Sequence, residues 1–296
     1  MEILKTLLIS KKNKIYSLVR MQNVHVYCIN LKKRPDRWAR FVAQKGVQEI
    51  MKVAKFERFD AIDGKEIDVQ NDDRISVRTK RNILYQMRRD HEDLDTVGGI
   101  GCYLSHAAVW KKFRDSGEDY CIIFEDDALI PDNFVSIFQD GLKSMHKNVF
   151  PSPDIWNLST PHAKSLNFAL GADDIVYTNG WAYDVITPFT GYVVFKQGAE
   201  TLLKNAFPID GHVDLYINRL SQIGMFRYVH YKKIMLRQIA VKMRDTNIQA
   251  GGCELCNIPA NAKESGFLIL KKEQIFSTAI VLGGISAFLL LRYFKG

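Results

Sequence analysis

The stretch that decides the fold is Cys121-Ile-Ile-Phe-Glu-Asp-Asp-Ala128, a short apolar run that ends in three adjacent carboxylates. An apolar run of this length predicts a strand buried within an α/β sheet. Open α/β sheets bind ligands just beyond the carboxyl ends of their strands, where Glu125, Asp126 and Asp127 fall. Adjacent acids repel one another, and a hard divalent cation between them would keep them ionised. The stretch therefore predicts a metal and phosphate site, with a solvated turn as the alternative.

The residues before this strand predict a helix and a tight turn. Segment 98–110 begins with several glycines and then carries apolar residues at helical spacing. Asp115-Ser116-Gly117 follows as a turn-like sequence. The three acids therefore close a helix–turn–strand unit, which distinguishes them from a charged tail.

Strand-like and helix-like segments alternate along most of the chain. Runs rich in β-branched and aromatic residues predict strands, and helical apolar spacing bounded by Pro or turn residues predicts helices. The predicted strands are 24–31, 55–61, 154–159, 175–183 and 192–195; the predicted helices are 35–46, 74–89, 198–206, 213–223 and one after Pro131. This alternation predicts a single α/β domain over residues 21–255.

The formal net charge of +8 is concentrated at the N-terminus. Of 41 Lys and Arg and 33 Asp and Glu, residues 1–40 hold ten basic and two acidic side chains, which leaves 31 of each sign elsewhere. A nucleic-acid-binding protein usually carries its basic patch within the fold, so nucleic acid is not an expected partner. We interpret residues 1–20 as a basic extension, because the strand pattern begins only after Met21 and no signal-peptide pattern is present.

The cysteines do not indicate a disulfide framework, because five in 296 residues are too few. Cys253 and Cys256 form a Cys-x-x-Cys pair, but no second pair with suitable spacing supplies the two further ligands of a structural zinc site. We therefore expect a structural or incidental role for this pair.

Residues 275–294 predict a transmembrane helix. Seventeen uncharged residues run from Ile275 to Leu291, and a snorkelling Arg292 extends the span toward the ~20 residues that cross a bilayer. A buried C-terminal helix is the alternative, but this segment is apolar on every face. We expect a linker over 256–274 and a single-pass tail anchor that leaves the catalytic body in the cytosol.

Six short motifs occur in order along the predicted domain. They are Val26-Tyr-Cys-Ile-Asn-Leu-Lys-Lys-Arg-Pro-Asp-Arg37, Phe59-Asp-Ala-Ile-Asp-Gly64, Gly101-Cys-Tyr-Leu-Ser-His106, Ile122-Ile-Phe-Glu-Asp-Asp127, Gly191-Tyr-Val-Val-Phe-Lys-Gln-Gly-Ala199 and Pro208-Ile-Asp210. The ordered set resembles glycosyltransferase family 25, which contains bacterial lipooligosaccharide galactosyltransferases and animal procollagen galactosyltransferases. A weaker seventh match, Gln238 followed by Asp245-Thr246, has Arg244 where the family often has Ser.

This resemblance implies a GT-A-like, Rossmann-like domain that binds a UDP-sugar donor and usually Mn²⁺, with Mg²⁺ as the substitute. It implies transfer of a hexose, galactose or glucose, to a glycan, lipid-linked or protein hydroxyl, with inversion. Animal members carry a secretory signal and bacterial ones generally lack a C-terminal anchor, so this chain departs from both. Large DNA viruses encode relatives that act outside the secretory route, and a viral source would fit the combination.

The three acids receive the metal-binding roles. Asp127 is expected to be the direct metal ligand, Asp126 to contact the metal or the ribose, and Glu125 to support both. A metal there would act as a Lewis acid on the diphosphate leaving group. An outer-shell role for Glu125 is the open alternative.

Five further residues are candidate donor contacts. Arg34 and Arg37 could pair with the diphosphate, or they could be surface arginines at a helix start. Asn30 could contact the nucleotide, or it could be a buried amide bonded to backbone. Ser105 and His106 share a helix that faces the sheet, and we expect a structural or donor-positioning role for them.

An inverting transfer also needs a general base near the acceptor hydroxyl. Asp210 is the first candidate, although it could instead cap the helix that follows. Asp214 is the competitor, because four residues apart the two could share one helix face. Asp245 could approach the donor from the C-terminal side.

The sequence therefore predicts a membrane-anchored, metal-dependent glycosyltransferase. One alternative is another metal enzyme, such as a phosphotransferase, since clustered acids also serve phosphoryl transfer; the sequence contains no P-loop motif. The other is an inactive relative that serves as a membrane or virion structural protein.

Overall fold

The structure is a computed structural model that describes residues 24–85, 93–148, 153–159, 175–178, 189–225, 227–231, 236–239 and 248. The chain divides into two compact units, Met1–Gly252 and Cys253–Gly296, and every described residue belongs to the first. The predicted extension 1–20, linker 256–274 and membrane segment 275–294 lie outside the described residues, as do Asp245 and the Cys253–Cys256 pair. None of the described helices combines the length and apolarity that a bilayer crossing demands.

Strands and helices alternate along the first unit. The strands are β1 (His25–Asn30), β2 (Lys55–Asp60), β3 (Tyr120–Glu125), β4 (Ala128–Leu129), β5 (Ile155–Asn157), β6 (Ile175–Thr178), β7 (Gly191–Phe195), β8 (Tyr228–Tyr231) and β9 (Arg237–Gln238). The helices are α1 (Pro35–Val42), α2 (Lys45–Val53), α3 (Val77–Leu84), α4 (Val97–Ser116), α5 (Phe134–Asn148), α6 (Lys196–Asn205) and α7 (Val213–Gln222).

Seven of these strands form one sheet in the order β2-β1-β3-β7-β5-β8-β6. β1 pairs in parallel with β2 and with β3, and β5 pairs in parallel with β8. β7 is antiparallel to β3 and β5, and β6 is antiparallel to β8. All but β6 and β7 therefore run in the same direction. This mostly parallel sheet confirms the predicted α/β class and is compatible with a Rossmann-like GT-A domain.

Strand β3 is buried on both faces because the sheet is covered on both sides. Cys121 and Ile123 belong to one apolar cluster, which includes residues of α4, α6 and α7. Ile122 and Phe124 belong to a second cluster, which includes residues of α1, α2 and α5. A strand covered on both faces carries a continuous apolar run instead of an alternating one, which explains why it was readable from sequence.

The helix predicted over 35–46 ends at Val42, and a second helix that was not predicted, α2, begins at Lys45 after a break at Gln44. The backbone of Gln44 is extended, and its side-chain amide bonds the residues after β3: Nε2 donates to the Ala128 carbonyl at 2.9 Å and Oε1 accepts from the Ile130 amide at 2.8 Å. Gly46 then lies so close to this segment that a Cβ would stand 2.3 Å from the Pro131 carbonyl. The break therefore lets α2 pack against the chain that follows the acids.

Three other predicted boundaries also move. The helix predicted over 74–89 begins at Val77, since the Ser76 hydroxyl accepts the Thr79 amide proton at 3.1 Å and caps it. The strand predicted over 175–183 is present over Ile175–Thr178, and the remainder of that prediction lies outside the described residues. The helix predicted over 98–110 continues to Ser116, so of the predicted turn residues only Gly117 lies beyond it. The other predicted elements match the structure to within a few residues.

Candidate active site at the ends of strands β1 and β3

The predicted site lies where the neighbouring parallel strands β1 and β3 end. Ile29 is the register partner of Glu125, so Asn30 stands beside the turn that carries Asp126 and Asp127. The Glu125 amide donates to the Thr190 carbonyl at 2.9 Å, which ties the end of β3 to the start of β7. Carboxyl ends of parallel strands are the usual ligand position in open α/β sheets.

Asp126 is a buried carboxylate held by two donors. Asn30 Nδ2 donates to Asp126 Oδ2 at 2.6 Å, and Arg37 Nη1 donates to Oδ1 at 2.9 Å. Arg58 in turn donates from Nε and Nη2 to Asn30 Oδ1, at 3.0 and 2.6 Å. Asp126 is 6% exposed, so it forms a desolvated ion pair with Arg37. A second cation, Arg58, is linked to Asp126 through the Asn30 side-chain amide. Each Asp126 oxygen therefore accepts a hydrogen bond from the protein itself.

Asp127 turns toward a different partner. Gln238 Nε2 donates to Asp127 Oδ2 at 2.8 Å, and the Ile239 amide donates to the Asp127 carbonyl at 2.8 Å. Pairing of β4 with β9 brings Gln238 to this position. Among the described residues, Asp127 Oδ1 is buried and has no hydrogen-bond partner. Burial, and next the charge of Glu125, raise the pKa of Asp127 to about 7.

Glu125 points into the α4 side of the sheet. Its Oε1 lies 3.3 Å from His106 Nε2 and 3.9 Å from Cys102 Sγ. Burial raises the pKa of Glu125 to about 8, with further contributions from the charges of Asp126 and Asp214. Burial lowers the pKa of His106 to about 4. At neutral pH a protonated Glu125 therefore faces a neutral imidazole.

The His106 ring is fixed by a chain of buried hydrogen bonds. Its Nδ1 lies 2.8 Å from the Tyr192 hydroxyl, and Trp110 Nε1 donates to the same hydroxyl at 2.7 Å. The ring also stacks on Tyr192 with centroids 5.7 Å apart. With Glu125 protonated, its O–H donates to Nε2 and Nδ1–H donates to Tyr192. These hydrogen bonds orient both the imidazole and the Glu125 carboxyl.

The three adjacent acids therefore diverge instead of sharing one ion. Asp126 faces Asn30 and Arg37, Asp127 faces Gln238, and Glu125 faces His106. Among the described residues, the one group of three or more acidic, His or Cys side chains with converging ligand atoms is Cys102, His106 and Glu125. A single cation bound between all three acids, as the sequence suggested, does not match this arrangement. Of the three acids, only Asp127 has a buried oxygen without a hydrogen-bond donor in the part of the chain that the structure describes.

The other predicted donor contacts are placed differently from one another. Arg37, which the sequence proposed as a diphosphate contact or a surface arginine, is buried and acts as the counter-ion of Asp126 in this structure. Arg34 donates from Nε and Nη2 to the exposed Asp36, at 2.9 and 2.7 Å. The buried Ser105 hydroxyl donates to the Gly101 carbonyl at 2.6 Å and accepts from the Ile62 amide at 2.8 Å. Ser105 thus anchors the loop after β2 to α4.

The structure separates the two candidate bases. Burial raises the pKa of Asp214 at the start of α7, and its charge acts on Glu125, His106 and Cys102. Asp210 is exposed, and its Oδ1 accepts a hydrogen bond from Ser76 at 2.8 Å. Asp214 therefore shares the electrostatic environment of the acid cluster, whereas Asp210 belongs to the loop that caps α3.

Several residues of the site were missed from sequence. Arg58 and Trp110 reach it through tertiary contacts that no local pattern predicts. Gln238 and Tyr192 lie within the quoted motifs, but the motifs alone assigned them no role. Cys102 had a readable signal, because it precedes His106 by four residues and so lies on the same face of a helix.

Comparison with known proteins identifies the family. Residues 23–217 match the family described as glycosyltransferase family 25 (LPS biosynthesis protein), over more than half of the chain. The chain belongs to glycosyltransferase family 25. The resemblance read from the six motifs is thereby confirmed.

Curated relatives of this family 25 chain come from viruses and animals. A putative glycosyltransferase, R655, of Acanthamoeba polyphaga mimivirus is 32% identical over 182 residues, which cover 61% of this chain and 47% of that protein. Human procollagen galactosyltransferase 2 is 26% identical over 66% of this chain and 30% of its own length. Mouse inactive glycosyltransferase 25 family member 3 is 31% identical over 68% and 33%. The chain thus spans less than half the length of these relatives.

We expect Arg37→Met to lower the free energy of unfolding by about 3–5 kcal/mol, because it leaves Asp126 as a buried charge without its cation. Urea unfolding followed by circular dichroism measures this. Arg34→Met is the matched control, since its partner Asp36 is exposed and such surface pairs contribute little to stability. Equal effects of the two substitutions would contradict the role assigned to Arg37.

The stability of the metal-free protein should depend on Asp127 as the pH rises toward and through neutrality. Its pKa is raised from 3.8 to about 7, so its stabilising protonation is complete below about pH 4 and is lost as the pH rises through about 7. Between about pH 6 and pH 9, we expect the Tm of Asp127→Asn to fall less than that of the unsubstituted protein. A relative gain of about 2–4 °C would correspond to about 1 kcal/mol. Asp132→Asn, at an exposed position, is the control; identical pH slopes for all three proteins would refute the assignment.

Proposed function

We propose that this protein transfers a hexose, galactose or glucose, from a UDP-sugar to a hydroxyl of a glycan, a lipid-linked sugar or a protein, with inversion and with Mn²⁺ or Mg²⁺. Family membership supports glycosyl transfer. The names of two relatives, procollagen galactosyltransferases 1 and 2 of zebrafish and human, support the choice of hexose.

The observation that carries the metal proposal is the partnerless, buried Oδ1 of Asp127. Magnesium-like ions commonly bind through one or two carboxylates and complete their coordination with substrate phosphates. One free carboxylate oxygen at a strand end is therefore a sufficient protein contribution. When bound, such an ion would neutralise charge on the departing nucleoside diphosphate.

The chain's own residues hold this oxygen in place. Gln238 fixes the other oxygen of Asp127, and the Asn30–Asp126–Arg37 contacts fix the turn that carries it. Arg34 remains the candidate for the diphosphate, because an anionic ligand could replace the exposed Asp36 as its partner. Asn30 stays a candidate nucleotide contact only through Asp126, since its own amide is occupied by protein partners.

We propose Asp214, in preference to Asp210, as the base that accepts the proton of the acceptor hydroxyl. A carboxylate becomes a better base as its pKa rises toward the working pH, and burial raises the pKa of Asp214. Its charge also acts on Glu125, which borders Asp127 at the end of β3. The exposed Asp210 and its Ser76 partner then serve to close the start of α3.

A second candidate is a family member without catalysis that acts as a membrane or virion structural protein. Rat and mouse relatives named probable inactive and inactive glycosyltransferase 25 family member 3 are 28% and 31% identical to this chain. The apolar segment 275–294 is the basis for proposing that either form is held at a membrane by a C-terminal anchor.

The function is tested by UDP release from UDP-galactose and UDP-glucose with the full chain. We expect turnover with Mn²⁺, its loss with a chelator, and a fall of about 10²-fold or more in kcat for Asp127→Asn, since that oxygen is the proposed metal contact. Asp132→Asn controls for loss of surface charge. No UDP release from a folded, Mn²⁺-loaded protein with either donor and a panel of hydroxyl acceptors would favour the inactive form.

The base is tested by comparing Asp214→Asn with Asp210→Asn. We expect the first to lower kcat by about 10²–10⁴-fold while the dissociation constant for UDP stays unchanged, because the base acts on the acceptor. The second should leave kcat within a few fold. The reverse order would assign the base to Asp210, and a loss of UDP affinity in Asp214→Asn would make Asp214 a donor contact.

A further inference from the structure

Cys102, His106 and Glu125 form a second group of potential metal ligands, separate from Asp127. One ligand atom from each lies within 4.8 Å of the other two. Cys102 and His106 are four residues apart on one face of α4, and Glu125 ends β3 opposite them. The Cys102–His106–Glu125 cluster therefore draws its ligands from two rigid elements of the core.

Two of the three distances between the ligand atoms are close to those around a tetrahedral metal. With bonds of about 2.0–2.3 Å, tetrahedral zinc separates a nitrogen from an oxygen by about 3.4 Å and a sulfur from either by about 3.6 Å. Here His106 Nε2 and Glu125 Oε1 are 3.3 Å apart, and Cys102 Sγ is 3.9 Å from the same oxygen. Shifts of a few tenths of an ångström would complete the nitrogen–oxygen and sulfur–oxygen edges.

The surroundings of the cluster also suit a metal. A metal-bound imidazole usually donates a hydrogen bond from its second ring nitrogen to a fixed acceptor. His106 Nδ1 already lies 2.8 Å from the Tyr192 hydroxyl, and Trp110 Nε1 donates a hydrogen bond to the same hydroxyl. A thiolate and a carboxylate together carry two negative charges, so a divalent cation leaves the buried group neutral. Binding would release the protons of Cys102 and Glu125 to solvent.

We infer that the Cys102–His106–Glu125 cluster is a binding site for a thiolate-preferring divalent cation, of which Zn²⁺ is the chemical type. Cysteine sulfur selects zinc and similar ions, whereas manganese and magnesium prefer the carboxylate oxygens of a site such as Asp127. Three protein ligands leave a fourth position open for water. The site does not depend on the proposed transferase activity.

Cobalt tests this site directly, because tetrahedral Co²⁺ bound by a thiolate gives a charge-transfer band in the near ultraviolet and visible d–d bands. The experiment uses the metal-stripped full chain with Cys253→Ser and Cys256→Ser, which removes the Cys-x-x-Cys pair as a competing thiolate site. We expect one equivalent of Co²⁺ to give both bands and Zn²⁺ to displace it. Absence of the charge-transfer band would overturn the proposal.

Variants then assign the ligands. Cys102→Ser should abolish the charge-transfer band, while Cys121→Ser, at a buried thiol on β3, should retain it. Glu125→Gln should keep the band but weaken Co²⁺ affinity. Loss of an outer-shell partner typically lowers metal affinity by about 10–100-fold, and we expect loss of a direct ligand to lower it at least as much. Far-ultraviolet circular dichroism establishes that each variant is folded. A band that survives in folded Cys102→Ser, or an unchanged affinity in Glu125→Gln, would refute the site.

Discussion

The arrangement of the site depends on the buried contact of Asp126 with Arg37 and Asn30. A carboxylate this deeply buried is stable only with a charged or strongly polar partner, and here each of its oxygens has one. Arg58 reinforces the contact by donating twice to the Asn30 amide oxygen. Because Asp126 is directed toward α1, its neighbours Glu125 and Asp127 must point elsewhere along the turn.

That division gives the three acids different chemistry. Both carboxylate oxygens of Asp126 accept hydrogen bonds from the protein, and Asp127 keeps one buried oxygen without a described partner. Glu125 lies beside Cys102 and His106 on the α4 side of the sheet. Burial raises the pKa of Asp127 and of Glu125 because desolvation disfavours the charged carboxylate, and the charges of the neighbouring acids raise both pKa values further. Adjacent residues of one type thus enter three environments.

The strand and its position were predictable, but the partners of the acids were not. The run 121–124 is apolar without alternation, since β3 is covered on both faces, and this is visible in the sequence. The direction of each acid depends on residues far away in the chain, such as Gln238 for Asp127 and Arg37 for Asp126. Local propensity also extended α1 past its end and missed α2, because the break at Gln44 is stabilised by contacts with Ala128 and Ile130. The apolar pattern predicted the strand, but contacts with residues distant in sequence determined the direction of each acid and the break between the two helices.

The central sheet extends beyond the part of the chain that matches the family. The family match ends at residue 217, yet β8 lies inside the sheet between β5 and β6, and β9 supplies the amide that steadies Asp127. A protein limited to the matched region would therefore lack β8, which lies within the sheet, and the Gln238 hydrogen bond to Asp127. The smallest portion of this chain that can behave as an autonomous module must reach at least to Ile239, whose amide bonds the Asp127 carbonyl.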